Sequence, residues 1–296
     1  QLQHAGKVAT QDMGAGRPLW VPSALPPKVG DLFDDLTPEE VAGVTEYFSR
    51  PGARLLFQEM SKDDIAALVE MFADAADRVR RAGFDAVEIH AAHGYIVSSF
   101  LSPATNKRED EYGGPLENRS RLLVEVIRAV KARVGEAFPV WCRLDAKEFR
   151  TENGITVDDG QRTAELAQAA GADALHVSAY ADPTSGVAFT EAPLVNQACG
   201  YVSLAEGIKR RVEVPVIAVG RIEPEDAEEI LKAGKADFVA MARKLLADPE
   251  LPVKLAEGRP EDIRPCIYCY TCVGKIFLNQ SNCCAVNPAT GREACL

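Results

Sequence analysis

The chain has 296 residues, 47% apolar and 26% charged, and a net charge of −11. That length suits one large α/β domain or two small ones, with a substantial buried core. The acidic balance argues against nucleic acid and anionic membrane surfaces as partners, since both call for a basic patch. No apolar run approaches the roughly 18 residues of a membrane span. No basic segment followed by an apolar core opens the chain, which therefore reads as cytoplasmic.

The first residues, QLQHAGK, read as a strand leading into a loop, so the fold is expected to begin upstream of Gln1. Residues 8–60 are rich in Pro and Gly and weakly periodic. They read as a lid-like excursion over the mouth of the fold, partly helical at LTPEEVAGVTEYF, where Thr37 precedes Pro38 as an N-cap. From Ser61 a helix is expected, with Ile65, Leu68, Val69, Phe72, Ala76 and Val79 at three- and four-residue steps and Gly83 as its stop. A short strand, 84–89, follows, and then a helix from about Glu117 to Val134. Strands at 139–144, 173–178, 215–219 and 237–241 alternate with helices near 157–170, 203–211 and 224–233. A short helix starts from Asp248.

These apolar strands look buried on both faces, as in a parallel sheet covered by helices. With residues 1–4, six strands are countable. A Rossmann-type sheet would need a Gly-rich first turn, and none is present. A (β/α)8 barrel needs eight strands, so the expected fold is a TIM barrel lacking its first strands in this sequence, at residues 1–258. A Cys-rich segment, 259–296, follows it.

Parallel barrels carry their chemistry at the carboxyl ends of strands. The chain has four histidines, and two of them, His90 and His93, fall just after strand 84–89 together with Tyr95. A lone histidine most often reads as a satisfied core residue, but this clustering at a strand end reads as a site. Two imidazoles can hold a carbonyl or carboxylate oxygen, and a phenol is a neutral proton donor at pH 7. Barrel enzymes often hold a phosphate with the loops after their last two strands. Those loops carry Gly220-Arg221 and Ala242-Arg243, where glycine admits close backbone approach and arginine supplies a bidentate partner.

Of eight cysteines, six lie between Cys266 and Cys295, a clustering at one end that reads as a metal site in a reducing compartment rather than a disulfide scaffold. Cys266, Cys269 and Cys272 form C-x2-C-x2-C. Three ligands in one tight loop suit a [4Fe–4S] cluster, whereas structural zinc more often splits its ligands two and two. Zinc, or no metal, stays open as an alternative. For the fourth ligand the sequence offers Cys283 and Cys284.

HAAHGY, followed by FLSPATNKREDEYGG and ENRSR, resembles the Old Yellow Enzyme family of FMN-dependent oxidoreductases. Within it, the resemblance is to the iron–sulfur branch of 2,4-dienoyl-CoA reductase, 2-enoate reductase and trimethylamine dehydrogenase. The resemblance implies FMN, with Gln1 reaching the flavin, His4 near it, and Arg143 against its ring. The rival role for Arg143 is a structural ion pair at the barrel mouth. VGRI and MARKLLADP would be the FMN-phosphate segments. The family's C-x-V-N-P pattern selects Cys284 as fourth cluster ligand, leaving Cys283 and Cys295 outside the set. The implied reaction is reduction of an activated C=C bond: hydride from FMN N5 to the β-carbon of an unsaturated acid, ketone or thioester. His90 and His93 would hold the carbonyl oxygen and Tyr95 would protonate the α-carbon. NADH or NADPH would be the electron source, passing through FAD on a downstream domain or a separate donor. A homo-oligomer is compatible with all of this.

Two departures shape the reading. The Cys269–Cys272 spacing resembles that of trimethylamine dehydrogenase, yet that enzyme carries a tyrosine at the position of His90. The Trp-His pair of dienoyl-CoA reductases is absent after strand 173–178. There VSAYADPTSGVAFTEAPL offers Tyr180 as a substrate contact, which favours an enoate or enone. The alternatives are a flavin and iron–sulfur dehydrogenase of amines or saturated substrates, and a zinc-stapled, non-catalytic barrel serving as a binding module.

Overall fold

The computed structural model describes residues 1–25, 37–49, 51–52, 54–181, 197–277 and 280–295. The amino-terminal part carries α1 (Thr10–Gly14), β1 (Leu19–Val21), α2 (Pro38–Phe48), β2 (Phe57–Glu59) and α3 (Lys62–Arg81). Next come β3 (Val87–Ala91), α4 (Ile96–Leu101), α5 (Leu116–Arg119), α6 (Arg121–Val134), β4 (Val140–Phe149) and α7 (Val157–Ala169). Then follow β5 (Leu175–Ala181), α8 (Val202–Lys209), β6 (Val216–Ala218), α9 (Pro224–Lys232) and β7 (Phe238–Val239). The chain ends with α10 (Arg243–Ala247), α11 (Leu251–Ala256) and α12 (Thr271–Phe277).

Strands β3 to β7 pair in chain order, every pair parallel. Residues 1–4 extend this run at its β3 edge. The Leu2 amide donates to the Glu88 carbonyl at 2.7 Å, and the His90 amide donates back to Leu2 at 2.8 Å. Parallel neighbours need helical crossovers, and α6 through α9 supply them. β5 is buried at all seven positions, as expected of a strand covered on one side by helices and on the other by the interior. Among the described residues no helix is long and apolar enough to cross a membrane.

The helices start and stop where local chemistry dictates. Ser61 opens α3 with a reciprocal capping box: the Asp64 amide donates to Ser61 Oγ at 3.1 Å, and the Ser61 amide donates to the Asp64 carboxylate at 2.9 Å. α3 then buries Ile65, Leu68, Phe72 and Ala76 against α6, whose buried face is Leu122, Leu123, Val126, Ile127 and Val130. The helix expected over 117–134 is divided at Ser120 into α5 and α6. Strand β3 begins at Val87, and Phe84, expected inside it, is 65% exposed.

The excursion over 8–60 contains a feature that periodicity does not reveal, a two-stranded parallel sheet of β1 and β2. Its strands are three residues each, too short to show alternation. Arg108 ties this sheet to the loop after α4, donating to the Pro22 and Met60 carbonyls at 3.1 and 2.7 Å. Asn106 bridges the Phe100 and Tyr112 carbonyls at 2.7 Å each. Buried Arg119 donates to the carbonyls of Gly114 and Leu101. The long polar run after HAAHGY thus satisfies the backbone of the loop that follows β3.

Candidate active site

Register along β3, β4 and β5 places one set of side chains on a single face. His90 pairs with Arg143, and Arg143 with His176; Glu88 pairs with Trp141, and Asp145 with Ser178. Side chains alternate along each strand, so these residues form two stacked polar layers. A register shift between Asp145 and Glu148 is the kind of bulge that re-aims a strand end near a site.

The deeper layer centres on Glu88, whose carboxylate accepts from Trp141 Nε1 at 2.6 Å and from the Gln1 amide, and pairs with His176 Nδ1 at 2.8 Å. Burial alone would push this carboxyl up, yet the hydrogen bond and charge of His176, with Gln1 and Trp141, bring it down to about 2. Gln1, expected at the flavin, is bonded to this layer.

The upper layer is the strand-end cluster. His90 Nε2 lies 3.3 Å from His93 Nδ1, and the Tyr95 ring stands edge-on to His90 with centroids 4.7 Å apart. Burial, then the nearby Arg143 charge, holds His90 down to about 3 and His93 well below the ordinary imidazole range. Both rings are therefore neutral at pH 7. The Ala92 amide donates to His90 Nδ1 at 3.2 Å, so the His90 proton sits on Nε2 and points at His93 Nδ1. The His93 proton is then on Nε2, 2.7 Å from Ser178 Oγ. Arg143 Nη2 also donates to Ser178 Oγ, at 3.2 Å.

The turn that carries this pair has two consecutive left-handed residues, His93 at φ 63° and Gly94 at φ 68°. Gly94 is required: a Cβ there would stand 2.5 Å from the Tyr180 hydroxyl. Tyr180 thus lies directly against the turn. Asp145 holds the turn from below, accepting from the His93 amide at 2.7 Å and from Ser98 Oγ at 2.9 Å. Asp145, Ser178, Ser98, Glu88 and His176 were not singled out from sequence. Period-two alternation through PVWCRLDAK and DALHVSAY was the signal that could have found the strand residues among them.

His4 stacks on Trp20 with centroids 5.4 Å apart, and burial lowers its pKa. It stands beside β1, at the edge of the sheet next to Gln1. At the far end, Gly220 adopts φ 120°, and a Cβ on it would meet the Tyr201 ring at 2.8 Å. Arg221 and Arg243 lie over the Tyr268 ring at 5.7 and 5.4 Å, and Lys244 lies 5.0 Å from its centroid. The loops after β6 and β7 therefore converge and bring three cations round one ring. Glu223 is bonded to Lys244 and to the Tyr268 hydroxyl. Ala242 is the residue before α10, and its carbonyl accepts from Leu245 at 3.0 Å. Lys244 is thus paired with Glu223, and the guanidinium groups of Arg221 and Arg243 are the ones here suited to a planar or tetrahedral anion.

Cys266, Cys269, Cys272 and Cys284 line one small cavity together with Arg243, Tyr268 and Tyr270. Tyr268 and Tyr270 have φ of 53° and 61°, which folds the cysteine loop tightly. Cys269 Sγ lies 3.3 Å from Thr271 Oγ1, and this hydrogen bond lowers its pKa. Among the described residues no three His, Cys, Asp or Glu side chains converge closely enough to hold a single metal ion. The four thiols on this cavity are a donor set of the kind that holds a metal group.

A parallel α/β wall thus carries two histidines, a phenol and an arginine at its strand ends, the place where parallel barrels carry their chemistry. Residues 2–262 match the NADH:flavin oxidoreductase / NADH oxidase family, and the chain belongs to that family. It is 44% identical over 244 residues to an NADH oxidase of Thermoanaerobacter brockii, covering 80% of this chain and 36% of that protein. It is 37% identical over 255 residues to a cinnamate reductase of Clostridium sporogenes, covering 80% of this chain and 38% of the relative. A solved structure of a 2-naphthoyl-CoA reductase with 2-naphthoyl-CoA superposes with a TM-score of 0.83 at 28% identity, covering 99% of this chain and 43% of that one. The fold is accordingly the TIM barrel of the Old Yellow Enzyme group. The chain spans about two-fifths of the length of these proteins.

Proposed function

We propose that this chain is the core of an FMN- and [4Fe–4S]-dependent ene-reductase acting on an α,β-unsaturated acid, ketone or thioester. The observation that carries the reading is the neutral His90–His93 pair, 3.3 Å apart, with Tyr95 edge-on beside it. The names of the cinnamate reductase and 2-naphthoyl-CoA reductase relatives support this class of chemistry. Residues 1–258 would be the flavin barrel and 259–296 the cluster segment.

FMN would be held by Gln1, His4, Arg143, Gly220, Arg221, Ala242 and Arg243, and when bound it supplies hydride for the β-carbon of the substrate. The cluster would be held by Cys266, Cys269, Cys272 and Cys284, and when bound it supplies one-electron transfer. NADH or NADPH would feed electrons through a downstream flavin domain or a separate protein.

The chain's own residues then account for binding and proton transfer. An entering carbonyl oxygen displaces His93 Nδ1 as acceptor of the His90 Nε2 proton. For His93 to donate as well, its proton must sit on Nδ1 with Nε2 accepting from a neighbour. Both donors then face the oxygen on which negative charge develops. Tyr95 protonates the α-carbon, and Tyr180, against the turn, bounds the substrate. Arg143, fixed by Ser178, is a cation suited to an electron-rich flavin ring.

The test is an anaerobic spectrum of the purified protein before and after dithionite, with flavin and iron quantified, followed by turnover of enoates and enones. Bleaching flavin and iron–sulfur bands with alkene reduction support the reading. Turnover of amines with an artificial acceptor, and none of alkenes, would replace it with the dehydrogenase alternative.

A further inference from the structure

Asp145 is fully enclosed, 3% exposed, and its two oxygens have unequal surroundings. Oδ2 accepts from the His93 amide at 2.7 Å and from Ser98 Oγ at 2.9 Å. Oδ1 is buried without a hydrogen-bond partner and lies 3.9 Å from His93 Nε2. The same carboxyl group therefore holds the His93 backbone in its left-handed conformation, φ 63°, and faces the imidazole from its far side. Arg143 and Glu148 on its own strand and His93 from the turn after β3 act on it, and β5 carries His176 and Tyr180 two residues either side of its register partner Ser178.

We propose that Asp145 is a positioning residue that acts through His93: its ionisation state decides which imidazole nitrogen carries the proton. This rests on the ene-reductase reading for its catalytic meaning, but not for its chemistry. Ionised, Oδ1 attracts the Nε2 proton and leaves Nδ1 as an acceptor, the arrangement that the His90 tautomer also imposes. Protonated, the carboxyl group presents an O–H at Oδ1, because Oδ2 is already engaged by two donors. That hydrogen replaces a negative charge on the Nε2 side of the ring, 3.9 Å away. Nε2 then accepts from Ser178 Oγ at 2.7 Å instead of donating to it, and the imidazole proton moves to Nδ1, where it meets the substrate oxygen. The carboxyl group takes up one proton from solvent in this change, and the imidazole keeps its single proton and only moves it from Nε2 to Nδ1. Burial, then the nearby Glu148 charge, acts against the Ser98 and His93 hydrogen bonds and raises the Asp145 carboxyl to about 7. Both states are therefore accessible near neutrality. Asp145→Asn should mimic the protonated form, with its carbonyl at the Oδ2 position and its amide at Oδ1.

The experiment uses the FMN-loaded enzyme labelled with 15N-histidine, a sample with four imidazoles to assign. His93→Gln identifies the His93 signals. Expected for the unaltered protein is a passage of His93 from Nδ1–H to Nε2–H as pH rises through neutrality. In Asp145→Asn the Nδ1–H form should persist at every pH. In parallel, kcat for an enone should fall about tenfold per unit on the alkaline side of this midpoint, and Asp145→Asn should lose that limb with KM little changed. A His93 tautomer independent of pH in the unaltered protein would overturn the proposal, even if no variant folds. So would a pH profile of folded Asp145→Asn that matches the unaltered enzyme. Normal tautomer behaviour with no alkene turnover would sink the ene-reductase reading and leave the Asp145–His93 linkage standing.

Discussion

His90 Nε2 donates towards His93 Nδ1 across 3.3 Å, with the two rings nearly perpendicular at 80°. The donor that would meet a substrate oxygen is thus already aimed, and on the proposed reading substrate would replace His93 Nδ1 as its acceptor. Replacing His90 by Ala removes this donor while leaving the turn in place. The expected outcome is a fall in kcat for an enone by about 10²–10³, the usual loss for one oxyanion-binding donor. Steady-state turnover with FMN content held equal checks it.

Tyr95 tests the proton-transfer step separately. Its backbone, at φ −67° and ψ 175°, precedes α4, and its ring rests edge-on against His90, so removal of one oxygen should not disturb either. Tyr95→Phe should lower kcat for alkene reduction by about 10²–10⁴, the usual contribution of a positioned general acid. Reduction of the flavin by its own electron donor should continue at the normal rate. Stopped-flow measurement of the two half-reactions separates these effects, and unchanged alkene turnover would remove Tyr95 from its role.

Gly220 bears on cofactor retention. Its φ of 120° is costly for any L-residue, and a Cβ would stand 2.8 Å from the Tyr201 ring. Gly220→Ala should therefore cost about 1–3 kcal/mol of stability and displace the loop that carries Arg221. A lowered Tm together with weaker FMN binding, read by fluorescence of released flavin, is the expected pair of results.

The alternation of strands and helices, and the His90–His93–Tyr95 cluster, were legible because each follows a strong local rule: apolar runs with turn signals, and polar residues just past a strand. The helix cap at Ser61 follows a local rule too. The β1–β2 pair was not legible, because three-residue strands leave no period to read. Asp145 and Ser178 were hidden for another reason. Each sits beside or within an apolar strand, and its partner lies 52 or 85 residues away in sequence, so only register brings it to His93. Glu88 and His176, 88 residues apart, meet for the same reason.

Acid should loosen this site before the rest of the fold. His90 is held down to about 3 from an ordinary 6.5, so its neutral form stabilises the folded chain above pH 6.5. That contribution drains away as pH falls from 6.5 towards 3. Glu88, held down to about 2 from 4.5, contributes above 4.5 and loses its contribution as pH falls through about 2. Asp145 runs the other way: raised to about 7, its contribution is complete below 3.8 and is lost as pH rises through about 7. His93, also held well below 6.5, adds to the His90 side and outweighs the opposing Asp145 contribution. The melting temperature should therefore decline on the acid side from about pH 6.5, and His90→Gln should flatten the upper part of that decline.

The fourth cluster ligand can be decided by a pair of substitutions. Cys283 and Cys284 are neighbours in sequence, yet Cys284 lines the cavity with Cys266, Cys269 and Cys272, together with Ala285 and Val286. Asn287 anchors this stretch, donating to the Leu246 carbonyl at 2.9 Å, and Thr290 Oγ1 donates to the same carbonyl at 2.8 Å. That fixes the Cys284 side relative to α10, which begins at Arg243. Cys284→Ser should lower bound iron and sulfide severely while most FMN stays in place, since Arg243 is the one proposed flavin contact that lines this cavity. Cys283→Ser should keep full iron. Equal loss in both variants would mean that the pair shares the role. Loss in Cys283→Ser alone would move the ligand by one residue and require the 283–286 backbone to turn over when the cluster binds.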